Sequence, residues 1–169
     1  EGYLWDSELA KNAFLKAAQI AKESNTKIIL SLSDSFCVDR HRESFLKLID
    51  EYVDIVFCNE SEVLSLFNED KLANCQGELS SLCELFVVTL GSNGSLIINK
   101  DSIEAIMSIN QGKVIDTTGA GDIYAGGFIH GLINNYSLKK CGEIASICAG
   151  QIITQLGSRS NIDLKELIK

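Results

Sequence analysis

Three short runs rich in β-branched and aromatic residues set the plan of this chain: residues 27–32 (KIILSL), 54–58 (DIVFC) and 85–90 (LFVVTL). Each is mainly apolar rather than alternating, which reads as a strand covered on both faces. Between them the apolar period changes to that of a helix. Residues 7–23 carry Leu9, Ala13, Phe14, Ala17, Ile20 and Ala21 at helical spacing, with Ser7 placed to cap. Residues 44–52 carry Phe45, Leu48, Ile49 and Tyr52, residues 60–67 read as a short helix, and residues 79–83 read as part of another. Residues 33–42 read as a loop with polar ends. Strands alternating with helices predict βαβ units: a mainly parallel sheet with helices on both faces, an α/β fold. Further on, residues 95–99 and 102–107 read as a hairpin around Lys100 and Asp101. Two longer helices are predicted over 120–134 and 138–156, and a last helical turn over 164–169. No repeat or low-complexity linker interrupts the pattern, so residues 1–169 read as one domain.

The 169 residues suffice for a sizeable core. A formal net charge of −8 argues against a general nucleic-acid or anionic-membrane binder. No apolar run reaches the length of a membrane span, and no signal-peptide pattern opens the chain. The six cysteines Cys37, Cys58, Cys75, Cys83, Cys141 and Cys148 form no C-x-x-C pair. They read as buried free thiols in a reducing cytoplasm rather than as disulfides or zinc ligands. Glu1 in place of an initiating Met suggests a fragment. Proline is absent, against about 5% in an average chain, and no functional account of this emerges.

The densest chemistry lies in Val114-Ile115-Asp116-Thr117-Thr118-Gly119-Ala120-Gly121-Asp122. An apolar run ends near Asp116, and a Gly-Ala-Gly turn then opens a helix with Asp122 in its first turn. Such a turn aims backbone N–H groups at one point, where the helix dipole adds positive potential, so an anion fits there. A carboxylate beside a bound phosphate suits phosphoryl transfer, with Asp122 taking the proton of the attacking hydroxyl. A plain tight helix entry, with Asp122 favoured by the dipole, is the competing reading. Two rival motifs fail. The third glycine of a dinucleotide fingerprint is misplaced at Gly126, and no Walker A lysine follows.

Three motifs are expected at the carboxyl ends of strands, where open α/β sheets bind ligands: Asn59 after one strand, Gly91 after another, and Gly119 after a further apolar run. Asn59-x-x-Glu62 is by itself close to a capping-box pattern. Thr89-Leu90-Gly91-Ser92-Asn93-Gly94 is by itself a strand followed by a glycine turn. Asp116, read as ending a strand, suits a cap or a cation. Arg40-His41-Arg42 reads as a solvated loop, His130 as a packed or surface histidine, and Trp5 and Phe36 as core or rim aromatics.

The 116–122 segment closely resembles the C-terminal signature of the ribokinase (PfkB) superfamily of sugar and nucleoside kinases. Glu1-Gly2-Tyr3-Leu4-Trp5-Asp6 and residues 32–40 resemble a bacterial branch labelled adenosine kinase or sugar kinase. The likeness spans nearly all of this chain but only about the C-terminal half of the family. It therefore implies the nucleotide-binding part of a three-layer Rossmann-like, ribokinase-like domain without its N-terminal half and β lid. It implies ATP and Mg²⁺ as cofactors and a nucleoside or sugar hydroxyl as acceptor, adenosine before a furanose. Asp122 becomes the general base, with Gly119, Ala120 and Gly121 as the anion hole. Thr89, Gly91, Ser92 and Gly94 become nucleotide-loop contacts, with Asn93 where the family carries a basic residue. Asn59 becomes a phosphate or metal-shell contact, and Glu62 an organiser of Mg²⁺-bound water. Asp116 becomes a K⁺ candidate and Ser146 an adenine-side contact. Ile123 and Tyr124 depart from the family's small or hydroxyl residue followed by Phe. The resemblance also allows a homodimer of the longer protein, through the lid. The isolated piece is expected to bind nucleotide weakly and to be inactive, and a non-catalytic nucleotide-binding or regulatory module is the alternative.

Overall fold

The structure is a computed structural model in which residues 1–168 are described. The strand order is β1 (Ile29–Ser31), β2 (Ile55–Asn59), β3 (Leu85–Thr89), β4 (Ser95–Ile98), β5 (Ile103–Ile106). The first three strands run parallel, and the fold is α/β, as the alternation of strand and helix patterns predicts. The described chain divides into two compact units: residues 1–89 with 98–103, and residues 90–97 with those from Glu104 onward.

In the first unit, β2 and β3 bury their first four residues in succession. Unbroken burial on a period-2 element means that both faces are covered. The register places Ile55 beside Ile29 and Leu85, and Asn59 beside Thr89. The helices are α1 (Glu8–Glu23), α2 (Ser35–Tyr52), α3 (Glu60–Phe67) and α4 (Leu72–Leu82). Helix α2 buries Phe45, Leu48 and Ile49 at i, i+3, i+4 spacing, and α3 buries Val63 and Leu66.

Several local expectations are corrected. From Ser35 onward, the predicted loop over 33–42 is instead the start of α2. Asp34 is its N-cap, accepting from the Cys37 N–H at 2.7 Å, and the buried Cys37 and Val38 lie two turns before Phe45. The helix continues through the basic triplet and bends at His41, where φ is −123° and ψ 16°. The triplet is therefore no solvated loop. Phe36 is neither core nor rim but 77% exposed, whereas Trp5 is buried at 2%. Helix α1 forms as predicted, but Ser7 makes no capping bond and only Ala18 is buried, with Leu9 and Ile20 left exposed.

In the second unit, α5 (Ala120–Ile133) packs on α6 (Leu138–Ile152). A Cβ at Gly127 would sit 2.9 Å from Ala145 Cα, and one at Gly131 would sit 2.7 Å from Cys141 Sγ. These two glycines, one turn apart, permit the close approach of the helices. Helix α6 ends before the predicted 156. The hairpin tip forms as expected, with Asn99 N–H donating to Ser102 O at 3.0 Å. Residues 113–118 are not a strand, so Asp116 does not end one. Their backbone instead reaches the end of α6, Ile115 N–H donating to Ile153 O at 2.8 Å. Val114 and Ile115 remain more than half exposed. The final turn spans Leu164–Glu166, and Lys169 lies outside the described residues. All six cysteines are free thiols, five of them buried. Among the described residues no helix is long and apolar enough to cross a membrane.

Candidate active site

The α5 N-terminus is built around Gly119. Its φ of 77° is left-handed, and a Cβ there would lie 2.5 Å from Ser158 Cβ. Backbone conformation and packing both demand glycine. Ala120 N–H donates to Thr117 O at 3.1 Å and Ile123 N–H to Gly119 O at 3.0 Å. No acceptor among the described residues takes the N–H groups of Gly121 and Asp122, and no side chain caps the helix. Gly121 has no neighbour within 4 Å of where a Cβ would be. Asp122 is exposed, in the first turn, without a hydrogen bond or ion pair among the described residues. Two free donors, a positive dipole end and an unengaged carboxylate stand together, an arrangement that can hold an anion and accept a proton beside it.

Asp116 braces this turn. Its Oδ1 accepts from Thr118 N–H at 2.9 Å and Thr118 Oγ1 at 2.7 Å, and its Oδ2 accepts from Gly157 N–H at 2.9 Å. These bonds, led by that from the Thr118 hydroxyl, hold its carboxyl below the usual carboxylate range. The role as a loop brace was not legible, because Gly157 lies 41 residues away in an unpatterned segment.

The nucleotide-loop candidates divide by physical role. Residues Gly91–Asn93 form a 3-10 turn, and Leu90 N–H donates to Gly94 O at 2.8 Å. Gly94, with φ 90°, would drive a Cβ to within 1.9 Å of Ile106 O, so packing alone requires it. Gly91, with φ 59°, faces no such neighbour. Ser92 O accepts from Ser108 Oγ at 2.6 Å. Thr89, in the first unit, donates its hydroxyl to Cys58 O at 3.3 Å.

Asn59 and Glu62 form a complete capping box on α3. Asn59 Oδ1 accepts from Glu62 N–H at 3.0 Å, and Glu62 Oε2 accepts from Asn59 N–H at 3.0 Å. Glu62 Oε1 also accepts from Asn59 Nδ2 at 2.6 Å. The residue is 4% exposed. Burial pushes its carboxyl up to about 7, against the Asn59 N–H bond, with the Asp34 and Glu1 charges adding to the rise. Asp34 in turn accepts from the Tyr3 hydroxyl, which lowers Asp34 and pushes Tyr3 up to about 12.

Ser146 is buried in α6 and donates its hydroxyl to Met107 O at 2.9 Å. His130 lies eight residues beyond Asp122 on the same helix, half-buried. Tyr124, unexplained by sequence, is 5% exposed, and its hydroxyl lies 2.6 Å from Ser95 Oγ. This buried polar pair ties the start of β4 to the second turn of α5. A polar residue opening an apolar strand was its only signal. Thus the first unit brings together Asn59, Glu62 and Thr89, and the second carries residues 119–122, Asp116, Ser146 and the Gly91–Asn93 turn.

The open, glycine-capped helix N-terminus thus pairs an anion-accepting end with an exposed carboxylate on an α/β scaffold. The pfkB family carbohydrate kinase description matches residues 1–165, and the chain belongs to that family. It is similar to a probable sugar kinase from Rhizobium etli CFN 42, with 40% identity and a TM-score of 0.95 over 98% of this chain and 51% of the other. The adenosine kinase from Sinorhizobium meliloti is similar at 38% identity and TM-score 0.95, over 98% of this chain and 51% of that one. A nucleoside kinase from Methanocaldococcus jannaschii is 32% identical over 88% of this chain and 47% of its own length. The chain therefore spans about half the length of the relatives it matches.

Proposed function

We propose that this chain is the C-terminal part of an ATP-dependent kinase that phosphorylates a nucleoside or sugar hydroxyl, with adenosine the favoured acceptor. The observation that carries this reading is the α5 N-terminus, where two N–H groups without an acceptor among the described residues stand beside an exposed carboxylate that no described residue engages. ATP, when bound, supplies the phosphoryl group. The Gly121 and Asp122 N–H groups would hold an anionic oxygen, and Ala120 would add bulk but no free donor. Asp122 would accept the acceptor hydroxyl's proton at its carboxylate.

Glu62 offers hard oxygen donors of the kind Mg²⁺ takes through water. Its carboxylate is turned onto Asn59, so a role with magnesium requires reorganisation of the capping box. Asp116 already accepts three hydrogen bonds, which leaves its Oδ2 the freer oxygen to offer K⁺. Adenosine is favoured by the likeness to the Sinorhizobium protein, and a sugar by the likeness to the Rhizobium one. Six free thiols accord with a reducing, cytoplasmic setting. A non-catalytic nucleotide-binding or regulatory module is the second reading.

The test is ADP release by the full-length protein carrying this segment, given Mg·ATP with adenosine, ribose, fructose and related acceptors. Turnover on one acceptor is expected. ADP binding without turnover on any would replace the kinase reading by the second.

A further inference from the structure

Away from the α5 turn, a carboxylate oxygen of Asp6, the Cys37 sulfur and a ring nitrogen of His41 all lie within 4.8 Å of one another. The chain brings them there by two independent devices. Cys37 and His41 are i and i+4 on α2, which sets both side chains on one face. Asp6 ends the turn Gly2–Asp6, and its neighbour Trp5 anchors that turn to α2. The Trp5 ring lies 5.5 Å from that of Phe45, and its Nε1 donates to Ser44 Oγ at 2.7 Å. His41 Nε2 is 2.8 Å from Asp6 Oδ1. All of these residues lie in the first unit.

From this geometry we propose that Asp6, Cys37 and His41 form a binding site for a Zn²⁺-type divalent cation. A sulfur, nitrogen and oxygen set selects a borderline-soft ion over Mg²⁺ or Ca²⁺. Metal–ligand bonds of about 2.0–2.3 Å place donor atoms a few ångströms apart, inside the observed spread. Three protein ligands leave a fourth position for water. Buried at 0% exposure, the Cys37 thiol is raised first by desolvation, then by Asp6, with Asp34 and Glu1 adding and Arg40 opposing. The same carboxylates attract a cation. On binding, the S–H bond breaks, its proton leaves to solvent, and a sulfur–metal bond replaces it.

Arg40 is the built-in competitor. Its Nη2 holds the two Asp6 oxygens at 3.0 and 2.8 Å, so a metal must displace the guanidinium. This separates a metal site from an ion-pair lock. In a lock, removing Arg40 only loses a contact. In a metal site, it frees a ligand.

The experiment is a Co²⁺ titration of the chain under reducing conditions, followed by sulfur-to-cobalt charge-transfer absorption and by quenching of Trp5, its one tryptophan. Zn²⁺ is expected to displace Co²⁺. Arg40→Gln is expected to tighten binding severalfold. Asp6→Asn and His41→Gln are each expected to weaken it more than about tenfold, the lower end of what losing even an outer partner of a metal ligand does. Cys37→Ser is expected to abolish the charge-transfer band. No Co²⁺ binding, a band that survives Cys37→Ser, or affinity unmoved in Asp6→Asn and His41→Gln overturns the proposal. If Cys37→Ser does not fold, the two other ligand variants and Arg40→Gln decide.

Discussion

Helices α3 and α5 each carry an acidic residue in the first turn, and they treat it in opposite ways. At the start of α3, Glu62 folds back on Asn59, is buried, and has both oxygens engaged. At the start of α5, Asp122 stands exposed, and the N–H groups beside it have no acceptor among the described residues. A closed capping box satisfies the orphan donors of a helix from within. A glycine in the left-handed conformation cannot cap, and it leaves those donors for something else. The first terminus satisfies its donors locally, and the second leaves them exposed.

The sharpest way to break this contrast is Asp122→Asn in the full-length protein. If the exposed carboxylate is the base, turnover falls about 10²–10⁴-fold while ADP affinity holds, as seen by steady-state kinetics beside calorimetry. Equal turnover would make the two termini functionally alike.

The buried partner should declare itself through pH. Glu62 has its folded value raised to about 7 from an unfolded 4.5, so the folded state binds more protons between those values. Its contribution is fully present below about pH 4.5 and is lost as pH rises through about 7, up to about 3 kcal/mol at ~1.4 kcal/mol per unit. Urea melts across that range should show the decline, and Glu62→Gln should flatten it. A wild-type profile that rises through the same window would refute the burial argument.

Gly119→Ala tests the geometry of the open terminus. Left-handed backbone costs an alanine about 1–2 kcal/mol, and contact with Ser158 adds to it. A melting temperature equal to wild type would mean that the turn relaxes freely. Asn59→Ala removes the cap of the closed terminus and should destabilise by about 1 kcal/mol in the same assay. The smallest effect on stability belongs to Gly121→Ala, which meets no neighbour and should leave the melt unmoved or slightly raised. ADP affinity should nonetheless fall. Unchanged affinity would remove Gly121 from the anion site.

Much of the fold was legible because its signals are local. The runs 54–58 and 85–90 are apolar at every position but the first or the penultimate, and they became strands buried on both faces. Asn59 with Glu62 spelled out the capping box that forms. The misreadings share one cause. Residues 33–42 look polar, and Cys37 and Val38 are too sparse a signal on their own to mark Asp34 as a cap. Val114 and Ile115 have a strand-like composition, yet their backbone pairs only with the end of α6. The brace of Asp116 on Gly157, the Ser158 contact under Gly119, and the Ser95–Tyr124 pair join segments far apart in sequence. No local pattern encodes such pairs.

The α/β alternation, the helix that opens at residues 119–122 and the family's signature residues are encoded locally, since periodicity, caps and glycine turns act within a few neighbours. Long-range packing sets which carboxylate is enclosed and which is exposed, makes Gly94, Gly127 and Gly131 serve packing while Gly121 does not, and brings Asp6 to Cys37 and His41. Burial, desolvation and steric contact are set by residues brought together from distant parts of the chain, and spacing along the sequence carries no record of them.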